Sequence, residues 1–257
     1  MLLLTPMALI VTAAGRGSRL APITSVIPKP FLPVAVGADG LPEAALPRLL
    51  RQFQAVGAGP VWIAATEHPW FGWLGGRCPQ VTVVVAPALG EWSAVAACLD
   101  SGPPAGSTIV VSGDNVFVDD DVLAFGRSCA SAGEGCLVAV APRPSTKDLT
   151  WVSTDGDRVR ELVEKPPDGR AGLAKAGLYY FGPRALRAAA ATPERIDRFG
   201  EQSMTEILRA LLDAGVDVTC HRLRHGFHDV GSLEGLAGVI HDSDMNPSKE
   251  STWTGQR

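Results

Sequence analysis

Apolar runs of strand length alternate along this chain with segments whose apolar positions recur at helical spacing. That is the pattern of a parallel sheet covered by helices. Residues 8–13 (ALIVTA) predict a first buried strand, with Met7 as an alternative start of the chain. Residues 44–56 predict a helix with Pro47 in its first turn, where a missing N–H is tolerated. Residues 61–65 and 81–86 predict strands, 92–100 a helix, and 108–112 a strand running into Gly113, Asp114 and Asn115. A helix over 121–131 and a strand at 136–141 follow. The rhythm then changes. Residues 150–154 and 158–163 flank Asp155-Gly156-Asp157, a hairpin signal. A strand at 176–181, helices over 183–191 and 203–214, a strand at 216–223 and a helix at 232–241 complete the pattern. No linker or repeat interrupts residues 1–241, so one domain is expected, an α/β half to about 141 and a mixed half over 142–241. Residues 242–257 are polar and aperiodic and read as a loose tail.

The 257 residues are 46 % hydrophobic and 19 % charged, which is globular composition. A net charge of −4 argues against nucleic-acid binding by bulk charge. Any basic site must be local. The five cysteines form no CxxC pair, so buried free thiols in a reducing, cytoplasmic setting are expected. The apolar start MLLLTPMALIV lacks a basic leader region and is too short for a membrane span, so no membrane partner is expected.

The local basic site is at the opening. The predicted first strand runs into Ala13-Ala14-Gly15-Arg16-Gly17-Ser18, followed by Arg19 and then Pro28-Lys29-Pro30. Residues 1–38 contain no Asp or Glu, so an acidic chain places a +3 segment at the carboxyl end of its first strand. In open α/β sheets ligands bind at that edge, and glycine-loop N–H groups with two arginines suit a triphosphate or pyrophosphate. The plainer alternative is a glycine turn with solvated basic residues. No Walker A lysine follows the glycines, and Leu20 stands where a dinucleotide fingerprint has its third glycine.

The segment resembles the signature of the sugar-1-phosphate nucleotidyltransferases, GxGTRL-x-P-x-T followed by PKP-x-LPV. Here it reads Gly15, Gly17, Ser18 in place of Thr, Arg19, Leu20, Pro22, Thr24, Pro28-Lys29-Pro30 and Leu32-Pro33-Val34. The resemblance is closest to glucose-1-phosphate thymidylyltransferases. It implies an α/β fold of Rossmann-like (GT-A-like) type, a mainly parallel sheet with helices on both faces and a small β-rich sugar-binding subregion. It makes residues to about 141 the nucleotide-binding half and 142–241 the sugar-binding half. It also implies that Ala13 to Ser18, with Gly90 and Gly113, bind the nucleotide, and that Arg19 and Lys29 hold phosphates.

Further segments resemble the same family. The GDN-x-F turn (Gly113 to Phe117) and the segment Phe227 to Leu236 imply Asp114 and Asp229 as ligands of a catalytic Mg²⁺, although each alone reads as an ordinary strand-end carboxylate. Phe227 and Ser232 replace a Trp and a Thr of the family pattern. Asp119-Asp120-Asp121 reads as a helix N-cap and solvated turn. Glu164-Lys165-Pro166 resembles an EKP motif whose Glu binds sugar hydroxyls and whose Lys meets the sugar phosphate. Alone, it reads as a surface ion pair. Residues 174–181 imply Gly177 near the sugar, and 198–206 imply Arg198 as a phosphate contact. Departures stand at Glu91, Trp92, Trp151 and Lys175. Lys175 is expected to face either an anionic substrate or solvent. His221, His225 and His228 read as surface histidines, with a zinc site as the alternative.

The expected reaction is in-line attack of a sugar 1-phosphate on the α-phosphorus of a nucleoside triphosphate. The GDN-x-F turn favours dTTP or UTP, with GTP admitted, and a homo-oligomer is left open. Three rivals differ in class. A silent sugar-nucleotide sensor would lose the metal-binding aspartates. A nicotinamide oxidoreductase would need an acid near positions 35–38, which hold none. A glycosyltransferase would need a DxD motif, which only Asp119 to Asp121 approach. The length leaves no room for a long C-terminal β-helix, so allosteric control through one is not expected.

Overall fold

The computed structural model describes residues 7–37, 40–102, 106–193 and 195–242; the expected tail from 243 lies outside the described residues. In chain order the elements are β1 (Met7–Ala13), β2 (Pro33–Val36), β3 (Pro42–Ala44), α1 (Ala45–Ala55), β4 (Ala58–Ala65), α2 (Pro69–Arg77), β5 (Val81–Val85), α3 (Glu91–Asp100), β6 (Thr108–Ser112) and β7 (Asn115–Val116). There follow α4 (Asp119–Ala132), β8 (Cys136–Arg143), β9 (Thr150–Asp155), β10 (Arg158–Glu164), β11 (Gly172–Phe181), α5 (Pro183–Ala190), α6 (Met204–Asp213), β12 (Val218–Arg222), β13 (His228–Asp229) and α7 (Leu233–His241).

Every strand and helix expected from the apolar pattern is present, with shifted ends. Five elements were not expected. Helix α2 carries Gly72, Gly75 and Gly76, which weaken the helical signal. Strands β2, β3, β7 and β13 are too short to show a period.

The main sheet has nine strands in the order β5-β4-β1-β6-β11-β8-β12-β10-β9. Strands β5, β4, β1 and β6 are parallel, and β11 runs antiparallel between β6 and β8. Strand β9 pairs with both β10 and β11, so β11, β8, β12, β10 and β9 close into a ring of hydrogen-bonded neighbours. This is the mixed, mainly parallel Rossmann-like architecture with a β-rich second half.

The central strands are largely apolar because both faces are covered. Along β1, Ala8 and Ile10 enter one core while Leu9, Val11 and Ala13 enter the other. Helices α3, α5 and α6 supply Val95, Leu186, Leu208 and Leu211 to the first core. Helices α1, α2 and α4 supply Leu46, Phe53, Phe71 and Phe125 to the second. A third, smaller cluster of Val34, Ala45, Val116, Val230 and Val239 forms where β2, β7, β13 and α7 meet.

Local chemistry sets several boundaries. Ser203 caps α6 by accepting from the Glu206 N–H, and Ser232 caps α7 by accepting from the Gly235 N–H at 3.1 Å. Gly156, at φ 59°, turns the hairpin where the Asp-Gly signal placed it.

The aspartate run is corrected. Val118 is the N-cap of α4, so all three aspartates lie inside the first turn. Asp121 is 3 % exposed and accepts from the N–H groups of Arg224 at 2.8 Å and His225 at 2.9 Å. Asp119 meets Arg48, Arg51 and Gln52 of α1. Partners this distant in sequence gave no local signal. The three histidines diverge. His221 contacts Ser128 Oγ at 3.0 Å, His228 contacts Asp242 at 2.8 Å, and His225 uses its backbone on Asp121. Among the described residues no group of three or more His, Cys, Asp or Glu is placed to hold a metal. All five cysteines are free, and four are buried. No described helix is long and apolar enough to cross a membrane.

The Asp121 geometry gives a prediction. Asp121→Ala orphans two N–H groups at the 222–226 turn and should destabilise by about 1–3 kcal/mol. Exposed Asp120→Ala should stay within about 0.5 kcal/mol. Urea denaturation of the two variants measures the difference.

Candidate active site

The carboxyl end of β1 delivers buried Ala13 and Ala14 into the loop Gly15-Arg16-Gly17-Ser18. Gly17 sits at φ 67°, where a Cβ would meet Thr24 Cβ at 2.9 Å. Thr24 Oγ1 in turn donates to the Gly17 carbonyl at 2.8 Å. The loop is thus folded on its own threonine, and only glycine fits there. A short 3-10 turn over Lys29–Phe31, entered through Pro28, then aims Lys29 back under the loop. Lys29 Nζ lies 2.8 Å from Asp114 Oδ2 with its side chain 13 % exposed. A Cβ on Gly15 would stand 3.8 Å from the same Nζ.

Asp114 follows β6. The Gly113 N–H donates to the Thr12 carbonyl at 2.8 Å and pins the ends of β1 and β6 together. Strand β7 pairs with β13 so that Asn115 faces Asp229, and the Val230 N–H donates to the Asp114 carbonyl at 2.9 Å. Asp114 and Asp229, far apart in sequence, therefore lie on adjoining segments. Arg19 Nη2 lies 3.9 Å from Asp229 Oδ2, and the Gly231 N–H donates to Asp229 Oδ1 at 2.7 Å. Burial and the Asp114 charge push the Asp229 carboxyl above its ordinary value, against the pull of Gly231, Lys29 and Arg19. A half-buried pair of carboxylates so placed is a donor set for a hard divalent cation, whose remaining ligands would be phosphate oxygens and water.

A second group gathers at the end of β10. Glu164 Oε2 accepts from Thr150 Oγ1 at 2.6 Å and from Thr205 Oγ1. Burial pushes the Glu164 carboxyl up, but Lys175, the two threonines and Lys165 outweigh it and hold it below its ordinary value. Lys165 has φ 43°, and its Nζ lies 4.4 Å from the centre of the Phe199 ring. Exposed Arg198 donates from Nη2 to the carbonyls of Glu164 at 2.9 Å and Lys165 at 2.5 Å. It holds that turn through Nη2. Gly177 lets β11 pass the end of β6, since a Cβ there would lie 2.2 Å from Ser112 Oγ and 2.5 Å from Asn115 Nδ2. Gly90, at φ 123°, packs against the backbone of Gln202.

Three departures from the family pattern, Glu91, Trp92 and Lys175, point into the fold. Lys175 is turned away from solvent: its side chain is 10 % exposed, with Nζ 3.8 Å from Glu91 Oε2. Glu91 also accepts from Ser112 Oγ at 2.6 Å and from the Tyr179 hydroxyl at 3.1 Å. Trp92 is a core residue beside Phe181. Arg143, not foreseen, stacks over the Phe227 ring at 4.4 Å and donates to the Phe227 carbonyl, steadying the approach to Asp229. Thr150 and Thr205 were also missed, being 55 positions apart.

The nucleotidyl transferase family model matches residues 78–244, more than half of the chain and the stretch holding Asp114, Glu164 and Asp229. The chain belongs to the nucleotidyl transferase family. Among relatives, a glucose-1-phosphate thymidylyltransferase of Streptomyces griseus is 29 % identical over 250 residues, covering 91 % of this chain and 65 % of its own. The low-salt glycan biosynthesis nucleotidyltransferase Agl11 of Haloferax volcanii is 23 % identical, covering 88 % of this chain and 63 % of its own. The chain thus spans slightly less than two thirds of these relatives. A Bacillus anthracis structure described as a glucose-1-phosphate thymidylyltransferase with sucrose superposes with a TM-score of 0.76 at 23 % identity, over 91 % of this chain and 94 % of that one. A UDP-glucose pyrophosphorylase bound to UDP-glucose gives a TM-score of 0.75 at 16 % identity, over 92 % and 97 %. Both support the fold.

Two glycines separate site geometry from helix propensity. Gly177→Ala drives a Cβ into Ser112 and Asn115 and should destabilise by at least about 1–3 kcal/mol. Gly76→Ala meets nothing within 4 Å and should be neutral or stabilising by up to about 1 kcal/mol. Thermal midpoints of the two variants check the opposite signs.

Proposed function

We propose that this protein transfers a nucleoside monophosphate from a nucleoside triphosphate to a sugar 1-phosphate, giving a nucleoside diphosphate sugar and pyrophosphate. The observation that carries the reading is the meeting of Lys29 with Asp114 and of Arg19 with Asp229 beside the glycine loop at the carboxyl edge of the sheet. Cations and paired carboxylates gathered beside one glycine loop suit phosphoryl chemistry between two anions.

In this reading a phosphate oxygen of the sugar 1-phosphate forms a bond to the α-phosphorus. The bond from that phosphorus to the β-phosphate bridging oxygen breaks, and pyrophosphate leaves with the electron pair. The nucleophile is already an anion, so no general base is needed. Ala13 to Ser18, Gly90 and Gly113 hold the nucleotide. Asp114 and Asp229 would hold Mg²⁺, which would supply Lewis-acid neutralisation of phosphate charge. Arg19 faces the leaving pyrophosphate, and Lys29 and Lys165 shield the incoming phosphate. Glu164 accepts from sugar hydroxyls beside Gly177, and Arg198 fixes the Glu164–Lys165 turn. The GDN-x-F turn and the thymidylyltransferase relative favour dTTP or UTP and a hexose 1-phosphate, while adenylyltransferases among the other relatives keep ATP in the comparison.

A crossed screen of five triphosphates against hexose 1-phosphates, read by pyrophosphate release with and without Mg²⁺, tests the reading. Release should require Mg²⁺ and be strongest with dTTP or UTP. No release with any pair overturns it. Asp114→Asn and Lys29→Ala should each lower kcat by about 10²–10³, with far-UV circular dichroism unchanged. Full activity in either variant removes that residue from the mechanism.

A further inference from the structure

Lys175 and Glu91 both depart from the family pattern, and the fold puts them together at 3.8 Å. Glu91 belongs to the start of α3, beside Gly90, and Lys175 to β11, in the other half of the sheet. The pair therefore spans the two substrate sites of the proposed reaction. The strand register also directs the lysine toward Glu164, whose cross-strand partner is Thr150. Strand β11 pairs with β9 antiparallel through Leu173 with Val152 and Ala174 with Trp151, a register that runs Lys175 toward Thr150. Thr150 donates to Glu164 Oε2. Both threonine bonds go to Oε2, which leaves Oε1 as the oxygen with no threonine donor.

We propose that Lys175 is a positioning residue: anchored on Glu91 and directed by the strand register toward Thr150 and Glu164, it holds Glu164 as a fixed acceptor that selects sugars presenting hydroxyl donors. Glu91 acts as counter-anchor. It neutralises the lysine, so that no net cation is added to the sugar site, and its bonds from Ser112 and Tyr179 fix where the ammonium sits. Tyr179 is fully buried and held as the neutral phenol by burial and by Glu91, so it keeps the proton that it donates to Glu91. The charged and polar groups facing Glu164 are then Lys175 from β11, Thr150 from β9, Thr205 from α6 and Lys165 beside it. Lys175 leads the groups that favour its anion. This inference rests on the reading of Glu164 as the sugar acceptor.

The test is steady-state kinetics on the wild type, Lys175→Met, Lys175→Arg and the double variant Glu91→Gln/Lys175→Met. Lys175→Met should raise KM for the sugar 1-phosphate about 10- to 100-fold and leave KM for the triphosphate within about twofold. Without the lysine the Glu164 carboxyl titrates higher, so the rise in sugar KM on acidification should begin at a higher pH than in wild type. The sugar phosphate's own ionisation is common to both. Lys175→Arg should restore most of the affinity. The double variant removes the Glu91 charge that Lys175→Met leaves unpaired, and should recover part of the thermal stability while sugar KM stays high. An unchanged sugar KM in Lys175→Met, or its recovery in the double variant, overturns the inference and leaves nucleotidyl transfer standing. Absence of transfer by the wild type overturns the reading of the site and the inference with it.

Discussion

The site depends on a ladder of two residues. Strands β7 and β13 pair only through Val116 with His228 and Asn115 with Asp229, yet this short pairing brings the two aspartates onto adjoining segments. Two residues cannot form a stable ladder alone. The pairing survives because Val116 and Val230 pack with Val34, Ala45 and Val239 in a small core of their own. The last helix is therefore part of the site, since Val239 of α7 is in that core and its Ser232 cap closes the turn just after Asp229. Electrostatics alone would separate Asp114 and Asp229. Lys29, Arg19 and the Gly231 N–H lower the repulsion, and hydrophobic packing supplies the rest.

Charge compensation recurs beyond the two aspartates. Glu91 and Lys175 look anomalous one at a time and become an ion pair when seen together, with the carboxylate hydrogen-bonded by Ser112 and Tyr179. A buried charge is tolerated when it is paired and its remaining valences are met. Arg143 and Phe227 form a comparable compensation, a cation over a ring that also caps the ring residue's carbonyl. Asp121, which read as a solvated turn residue, is a buried acceptor for two backbone donors. In each case the single residue misled because its partner lies in another element.

The fold and the candidate site were legible to different degrees. Strands β1, β4, β6 and β8 announce themselves as continuous apolar runs because both faces of the sheet are covered. The hairpin was visible because Asp155-Gly156-Asp157 turns by local chemistry. Gly15, Gly17, Arg19 and Lys29 were visible because one contiguous loop carries them. Helix α2 was not, since its glycines carry no helical preference. The threonines that hold Glu164 were not, because a hydroxyl on a strand and another on a helix carry no pattern until they meet.

The sequence by itself determined the period of each long element, the cationic glycine loop and the membership of a family whose motifs are continuous in the chain. Those features are local: they follow from side-chain alternation, backbone freedom at glycine and the order of a few neighbouring residues. The tertiary structure alone decided that Asp229 lies beside Asp114, that Lys175 faces Glu91, and that Arg198 grips the turn at Glu164. These are distances between residues far apart in the chain. Sheet order and the packing of α7 set them, and no local preference encodes either.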